Sequence, residues 1–143
     1  MTQYIGQIVT EEMNKELTGD FTRAEVELAL NQMAPLKALG SEGMSPIFNQ
    51  HYWQNIGDDV TDAVLHCLNT GKIFTGLNHT YITLIPKVKC SKKVSDFRPI
   101  ALCNILYKII SKVLANRLKK LLPLIISKFQ SAFQADKAIS DIF

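Results

Sequence analysis

The chain has 143 residues, 47% of them hydrophobic, and a formal net charge of +3 at neutral pH. This composition supplies enough apolar side chains to bury a core, which excludes a disordered chain of low hydrophobicity. No run of about 18 uncharged apolar residues occurs, so we expect no membrane-spanning helix and no membrane partner. The first residues also lack the layout of a secretory signal, and we therefore expect an intracellular protein of the nucleus or cytoplasm.

The residues that most often hold metals or carry out nucleophilic catalysis are few and scattered. They are Cys67, Cys90, Cys103, His51, His66 and His79. None has a partner at metal-ligand or nucleophile spacing, and three cysteines do not suggest a disulfide framework. We assign no metal ligand and no catalytic residue.

The first predicted helix covers residues 23–33. Residues 1–20 before it show no clear periodicity, and we predict a lead-in segment there. Thr22 followed by Glu25 has the pattern of a capping box, and apolar residues then recur at helical spacing. The stretch 36–44 has two glycines and no periodicity, which predicts a loop.

Two further helices are predicted at residues 46–55 and 58–70. The first follows Ser45, an N-cap residue, and has proline at its first position. Asp58 and Asp59 are predicted to start the second helix, because carboxylates complement the dipole at a helix N-terminus.

The pattern then changes to that of a β-hairpin spanning roughly residues 80–102. Thr80–Ile85 is β-branched and aromatic, which predicts a strand that ends at Pro86. A basic, turn-prone stretch leads to a second short strand, Phe97–Leu102, where proline favours an edge position. The sequence therefore predicts a hairpin with a basic tip.

The longest predicted helix covers residues 105–122 and is capped by Asn104. Its apolar residues recur on one side, whereas Lys108, Lys112 and Lys119 share another face. Together with the preceding elements, this helix predicts an α+β fold that is mainly helical with one β-hairpin.

Three smaller features accompany this helix. Arg117 projects among the apolar residues and therefore requires a partner or must reach solvent. Pro123 is predicted to end the regular pattern. Gln130–Phe133 is predicted to begin a turn or a short strand.

The charges are divided unevenly along the chain. Residues 1–80 carry four bases and ten acids, a net charge of −6, whereas residues 81–122 carry ten bases and one acid, a net charge of +9. Each lysine or arginine laid on a phosphate releases condensed counterions, so a basic segment with interleaved aromatics favours a nucleic-acid partner. The alternative is a solvated basic face that binds nothing specific.

Three ordered stretches carry a specific family resemblance. They are Gly76–Lys87, Asp96–Asn104 and Leu106–Leu118, with the sequences GLNHTYITLIPK, DFRPIALCN and LYKIISKVLANRL. They resemble the fingers region of plant-type non-LTR (LINE-like) retrotransposon reverse transcriptases, and the similarity extends over about residues 15–143. In the loop before Gly43, Glu42 stands where the family usually has aspartate.

The resemblance implies a domain organisation. Residues 1–20 would be the lead-in segment, and residues 21–143 a partial reverse transcriptase domain. This part resembles the N-terminal fingers subdomain of a right-hand polymerase, with palm and thumb absent.

The resemblance also implies roles for the basic residues. Lys87 and Arg98 match the family's Ile-Pro-Lys and Arg-Pro-Ile strands and would bind the triphosphate of the incoming deoxynucleotide. The other cations of the basic segment would bind the RNA template or an RNA–DNA hybrid. These are Lys89, Lys92, Lys93, Lys108, Lys112 and Lys119.

In that family, DNA synthesis uses Mg²⁺ ions held by palm aspartates, because paired metals clamp the attacking and leaving oxygens. Neither the palm strand with its first aspartate nor the Tyr-x-Asp-Asp turn occurs in this sequence. We therefore expect no cofactor in this chain and no polymerase activity from it alone. Two alternatives stay open: a module that binds RNA or RNA–DNA hybrids, and a non-functional retrotransposon relic.

Overall fold

The computed structural model describes residues 9–125, so the turn or strand predicted at Gln130–Phe133 lies outside the described residues. The elements in chain order are α1 (Glu11–Thr18), α2 (Arg23–Asn31), α3 (Pro46–His51), α4 (Trp53–Thr70), β1 (Tyr81–Pro86), β2 (Phe97–Leu102) and α5 (Ile105–Ile125), with a short 3₁₀ turn (Val94–Asp96) between the strands. The mixed helical fold with one antiparallel hairpin confirms the predicted α+β class. The described residues divide into two compact units, Phe21–Val113 and a second unit that combines residues 9–20 with residues 114–125.

The predicted lead-in segment, residues 1–20, contains the helix α1 (Glu11–Thr18), for which the sequence analysis predicted no element. Thr10 caps this helix, since its hydroxyl accepts the Met13 N–H at 3.2 Å. Glu11 and Glu12 lie in the first turn and Lys15 in the last, each on the side that the helix dipole favours. Capping and charge placement therefore define the ends of α1, and Met13 and Leu17, four residues apart, are its two half-buried residues.

The boundary predicted between the second and third helices is also wrong. The break occurs at Tyr52, which ends α3 and precedes α4. Asp58 therefore lies inside α4 and does not start it. Gly57, which resembles a helix breaker, is buried because the Trp53 ring covers it, and a Cβ atom there would lie 3.0 Å from that ring.

The core of the unit Phe21–Val113 is formed by α2, α4 and the first two turns of α5. The buried apolar residues are Val26, Ala29, Leu30, Met33, Val64, Cys67, Ile105, Ile109, Ile110 and Val113. The predicted capping box starts α2, because the Glu25 carboxylate accepts the Thr22 N–H at 2.9 Å. The Gln50 amide donates to the Leu30 and Met33 carbonyls at 2.9 and 3.1 Å, which ties α3 to the end of α2.

The hairpin has the predicted strands. β1 and β2 pair antiparallel, with Tyr81 opposite Leu102 and Pro86 opposite Phe97. Every residue of β1 is exposed, and β2 has no buried residue. The hairpin therefore lies outside the core of its unit.

α5 continues through Pro123 to Ile125, so the predicted end at Pro123 is wrong. Proline has no N–H, so α5 lacks the backbone hydrogen bond that residue 123 would otherwise donate to the carbonyl of residue 119. Within the second unit, Arg117 finds the partners that it requires: its guanidinium donates to the carbonyls of Leu17, Gly19 and Asp20. These carbonyls belong to the C-terminal end of α1 and the residues just after it.

Candidate nucleic-acid interface

Asp96 organises the tip of the hairpin. Its Oδ2 accepts the backbone N–H groups of Lys92 and Lys93, each at 3.0 Å. These hydrogen bonds, from Lys93 first and Lys92 second, lower the pKa of Asp96 below its usual value, so the group is ionised at neutral pH. Asp96, the one acid of residues 81–122, thus fixes the backbone conformation at Lys92 and Lys93.

The register of the hairpin brings Lys87 and Arg98 to one face. Arg98 pairs with Ile85 across the ladder, and the Lys87 N–H extends the pairing by donating to the Asp96 carbonyl at 2.7 Å. Side chains alternate between the two faces along a strand, so Lys87 is expected on the same face as Ile85. Arg98 is directly opposite Ile85 and therefore shares that face. Arg98 is exposed. The ammonium of Lys87 donates to the Ser95 carbonyl at 2.8 Å, which uses one of its three donors.

The remaining lysines of the tip lie on the segment that connects the strands. Lys89, Lys92 and Lys93 are all exposed. With Lys87 and Arg98 they make a cationic end of the hairpin, which we call the basic tip.

Lys108 and Lys112 lie on the face of α5 that the sequence predicted to be cationic. Both are half-buried, and the ammonium of Lys108 donates to the Ala38 carbonyl at 2.6 Å, in the loop after α2. The two lysines line a recess together with Lys37, for which the sequence pattern predicts no role. Lys119 is exposed and belongs to the other unit.

The junction between β2 and α5 is fixed by two residues outside the predicted set. The Asn104 side chain accepts the Tyr107 N–H at 2.8 Å, as predicted for a cap, and also donates to the Leu77 carbonyl at 2.7 Å. The Glu42 carboxylate accepts the Ile105 N–H at 2.7 Å. Glu42 therefore lies at the positive end of the α5 dipole, where a carboxylate is stabilising.

Gly40 allows this loop to approach α5 closely. A Cβ atom at Gly40 would lie 2.6 Å from both the Asn104 Cα and the Cys103 carbonyl oxygen. The requirement at this position is therefore the absence of a side chain.

Residues 9–125 contain no cluster of side chains of the kind that binds a metal ion. No three His, Cys, Asp or Glu side chains of this range lie close enough to hold a metal ion. In the same range, no helix combines the length and apolar character needed to cross a membrane.

The chain is similar to a protein of a transposon. No family model matches the chain. Over 134 residues, 94% of its length, the chain is 27% identical to a curated Xenopus laevis protein named "Transposon TX1 uncharacterized 149 kDa protein". The matched region is 10% of that protein, so the chain spans about a tenth of the length of this relative. The similarity supports a transposon-related origin for the sequence.

Proposed function

We propose that this chain is the fingers part of a non-LTR retrotransposon reverse transcriptase, the part that contacts the incoming nucleotide and the template. The observation that carries the proposal is the hairpin ladder, in which Arg98 pairs with Ile85 and the Lys87 N–H donates to the Asp96 carbonyl, so that strand alternation favours one face for the two cations. The similarity of 94% of the chain to a transposon protein supports it. In this proposal the chain has no polymerase activity alone.

The chemistry of the basic tip suits a triphosphate. Phosphoryl transfer depends mainly on positioning and on stabilising the charge of the phosphate oxygens. Arg98 can donate to two oxygens at once through its planar guanidinium, and Lys87 adds a point charge with two donors beyond the one that Ser95 takes. The chain's own contribution would be to bind and orient the nucleotide.

No step of this proposal runs through a metal held by the described residues. In the intact family enzyme, Mg²⁺ would supply the clamp on the attacking and leaving oxygens. Its ligands would come from the palm, which this sequence does not contain.

The template would lie along the remaining cations. Lys89, Lys92 and Lys93 are exposed on the basic tip, and Lys108 and Lys112 line the recess at α5. The partners in this proposal are an RNA template or an RNA–DNA hybrid, with a deoxynucleoside triphosphate bound in the intact enzyme.

Primer extension on an RNA template tests the claim about activity. We expect no template-dependent incorporation by the purified chain, because the metal clamp provides most of the rate enhancement of such a reaction. Reproducible incorporation by the chain alone would contradict the proposal.

Binding of a fluorescein-labelled, 12-nucleotide single-stranded RNA tests the claim about the template. If about five phosphates are neutralised, the affinity should fall with salt at a log–log slope of about −3.5. The double substitution Lys89→Ala, Lys92→Ala should flatten the slope by about 1.4, since two phosphate contacts are lost. The matched control Lys15→Ala, Lys72→Ala removes the same charge from exposed sites outside the basic segment and should leave the slope unchanged.

Two results would count against this reading. Equal slopes for the two double variants would show that net charge alone drives binding. If the folded parent chain does not bind RNA at all, the similarity to a transposon protein is better explained by a retrotransposon relic.

A further inference from the structure

A recess of about 570 Å³ lies within the unit Phe21–Val113. Its walls come from the end of α2 and the loop that follows, the end of β2, and the first turns of α5. The volume falls within the range of pockets that bind small molecules, roughly 300 to 1,000 Å³. We call this site the α5 recess.

The lining of the α5 recess is cationic. Lys37, Lys108 and Lys112 all contribute to it, and no acidic side chain is among the described residues that line it. Lys108 and Lys112 are four positions apart on one helix, a spacing at which like charges repel. Lys37 adds a third positive charge. An anion bound among the three lysines would relieve this repulsion.

The same recess has an aromatic ring and an apolar wall. Tyr107 and Ser111 line it from α5, and the buried Met33 lines it from the end of α2. Lys108 keeps two donors beyond the one that the Ala38 carbonyl accepts. A ligand that fits this lining has an anionic group at one end and a flat, partly apolar group at the other.

We infer that the α5 recess binds one nucleoside monophosphate unit, with the phosphate among the three lysines and the base against Tyr107. The inference rests on the proposed function, because an unpaired nucleotide of a bound RNA strand would supply this unit. A free mononucleotide has the same chemistry and is the other possible source. Stacking of a base on an aromatic ring tolerates any sequence, as a template site requires.

Filling the recess without changing its charge gives the first test. Ser111→Trp places a large ring at an exposed position of the lining, and Ala24→Trp adds the same ring to an exposed helical position outside the lining. We expect Ser111→Trp to weaken binding of the labelled 12-nucleotide RNA at least about fivefold, the lower end of the effect of losing one stacked base. Ala24→Trp should bind as the parent does. If Ser111→Trp fails to fold, Ala101→Trp fills the recess from β2.

Removing one charge from the recess gives the second test. Lys37→Gln and Lys72→Gln each remove one exposed lysine from outside the basic segment, but only Lys37 lines the recess. We expect Lys37→Gln to flatten the log–log salt slope by about 0.7, the contribution of one phosphate on a single strand. Lys72→Gln should leave the slope unchanged.

Competition by adenosine monophosphate distinguishes the two sources. Displacement of the labelled RNA from the parent, with displacement lost in Ser111→Trp, identifies a free mononucleotide as a sufficient ligand. Weaker RNA binding by Ser111→Trp without competition identifies the nucleotide of the strand. If the parent binds RNA but the recess variants match their controls and the mononucleotide does not compete, the inference is overturned while the proposed function stands. Failure of the parent to bind RNA overturns both.

Discussion

The helical core and the hairpin use the same kinds of residue in opposite environments. Ile109 of α5 is fully buried, whereas Ile82 of β1 is 66% exposed. The core residues pack against side chains from three helices. The hairpin has its own ladder and the turn organised by Asp96, and a two-stranded hairpin in water is at best marginally stable by itself. Stability in the unit Phe21–Val113 therefore comes mainly from the helices, while the hairpin carries the charges.

The largest expected effect comes from truncating one isoleucine in the core and one in the hairpin, which tests this comparison directly. Ile109→Ala removes buried methyl groups and leaves a cavity, so it should lower the free energy of unfolding by about 2–5 kcal/mol. Ile82→Ala is the matched control in the hairpin and should change it by less than about 0.5 kcal/mol. Urea titrations of the two variants measure the difference. Equal losses would mean that the hairpin contributes to the core as much as α5 does.

A smaller effect is expected where the loop after α2 meets the junction between β2 and α5. Gly40→Ala would place a Cβ atom 2.6 Å from backbone atoms of Asn104 and Cys103, so the loop must move. We expect a loss of about 1–3 kcal/mol, as for overpacking, whereas exposed Ser41→Ala next to it should be nearly neutral. Thermal denaturation of both variants tests this. An unchanged midpoint for Gly40→Ala would show that the contact does not anchor the junction.

A still smaller change, of opposite sign, is expected inside the core. Thr61 is buried, and its hydroxyl has no hydrogen-bond partner among residues 9–125. Thr61→Val keeps the shape and removes the polar atom, so it should stabilise the chain by up to about 1 kcal/mol. Thr70→Val is the control, because the Thr70 hydroxyl donates to the His66 carbonyl at 2.6 Å and its loss should destabilise. Destabilisation of similar size by both substitutions would show that the Thr61 hydroxyl is satisfied in solution.

Protonation of Asp96 is expected to have the smallest effect on overall stability. Its effect on the backbone of the basic tip should nevertheless be measurable. Hydrogen bonds from Lys93 and Lys92 lower its pKa in the folded chain, so its contribution to the tip is complete above the unfolded value of about 3.9. The contribution is lost as the pH falls through the lower folded value. Amide chemical shifts of Lys92 and Lys93 should follow this titration, and Asp96→Asn should abolish it without changing the thermal midpoint. A titration at or above the ordinary pKa would contradict the assigned hydrogen bonds.

Much of the fold could be predicted from local sequence signals. The capping box at Thr22, the cap at Asn104 and the strand at Phe97–Leu102 are each defined by a few neighbouring residues. The errors arose where a distant residue or an unrecognised local contact decides the structure. Asp58 and Asp59 favour a helix start, yet α4 begins at Trp53, whose ring covers the buried Gly57. Pro123 favours a helix end, although α5 continues past it.

The candidate site shows the same limit. Alternation along the strands places Lys87 and Arg98 on one face, which sequence pairing alone could suggest. The partner of Lys108 could not be predicted, because the Ala38 carbonyl lies 70 residues away in sequence. Lys37 joins Lys108 and Lys112 only once the loop folds against α5, so the α5 recess has no signature in the linear order of charges.

The hydrogen bonds from Arg117 to the end of α1 can form only after Arg117 has been synthesised. Its three acceptor carbonyls lie 97 to 100 residues before it in the chain. At a synthesis rate of roughly 5–20 residues per second, these carbonyls are made about 5–20 s before Arg117. An isolated helix as short as α1 is marginal in water. The first helix in the sequence is therefore among the last to become stable, and a nascent chain halted before Arg117 should leave its N-terminal residues open to proteases.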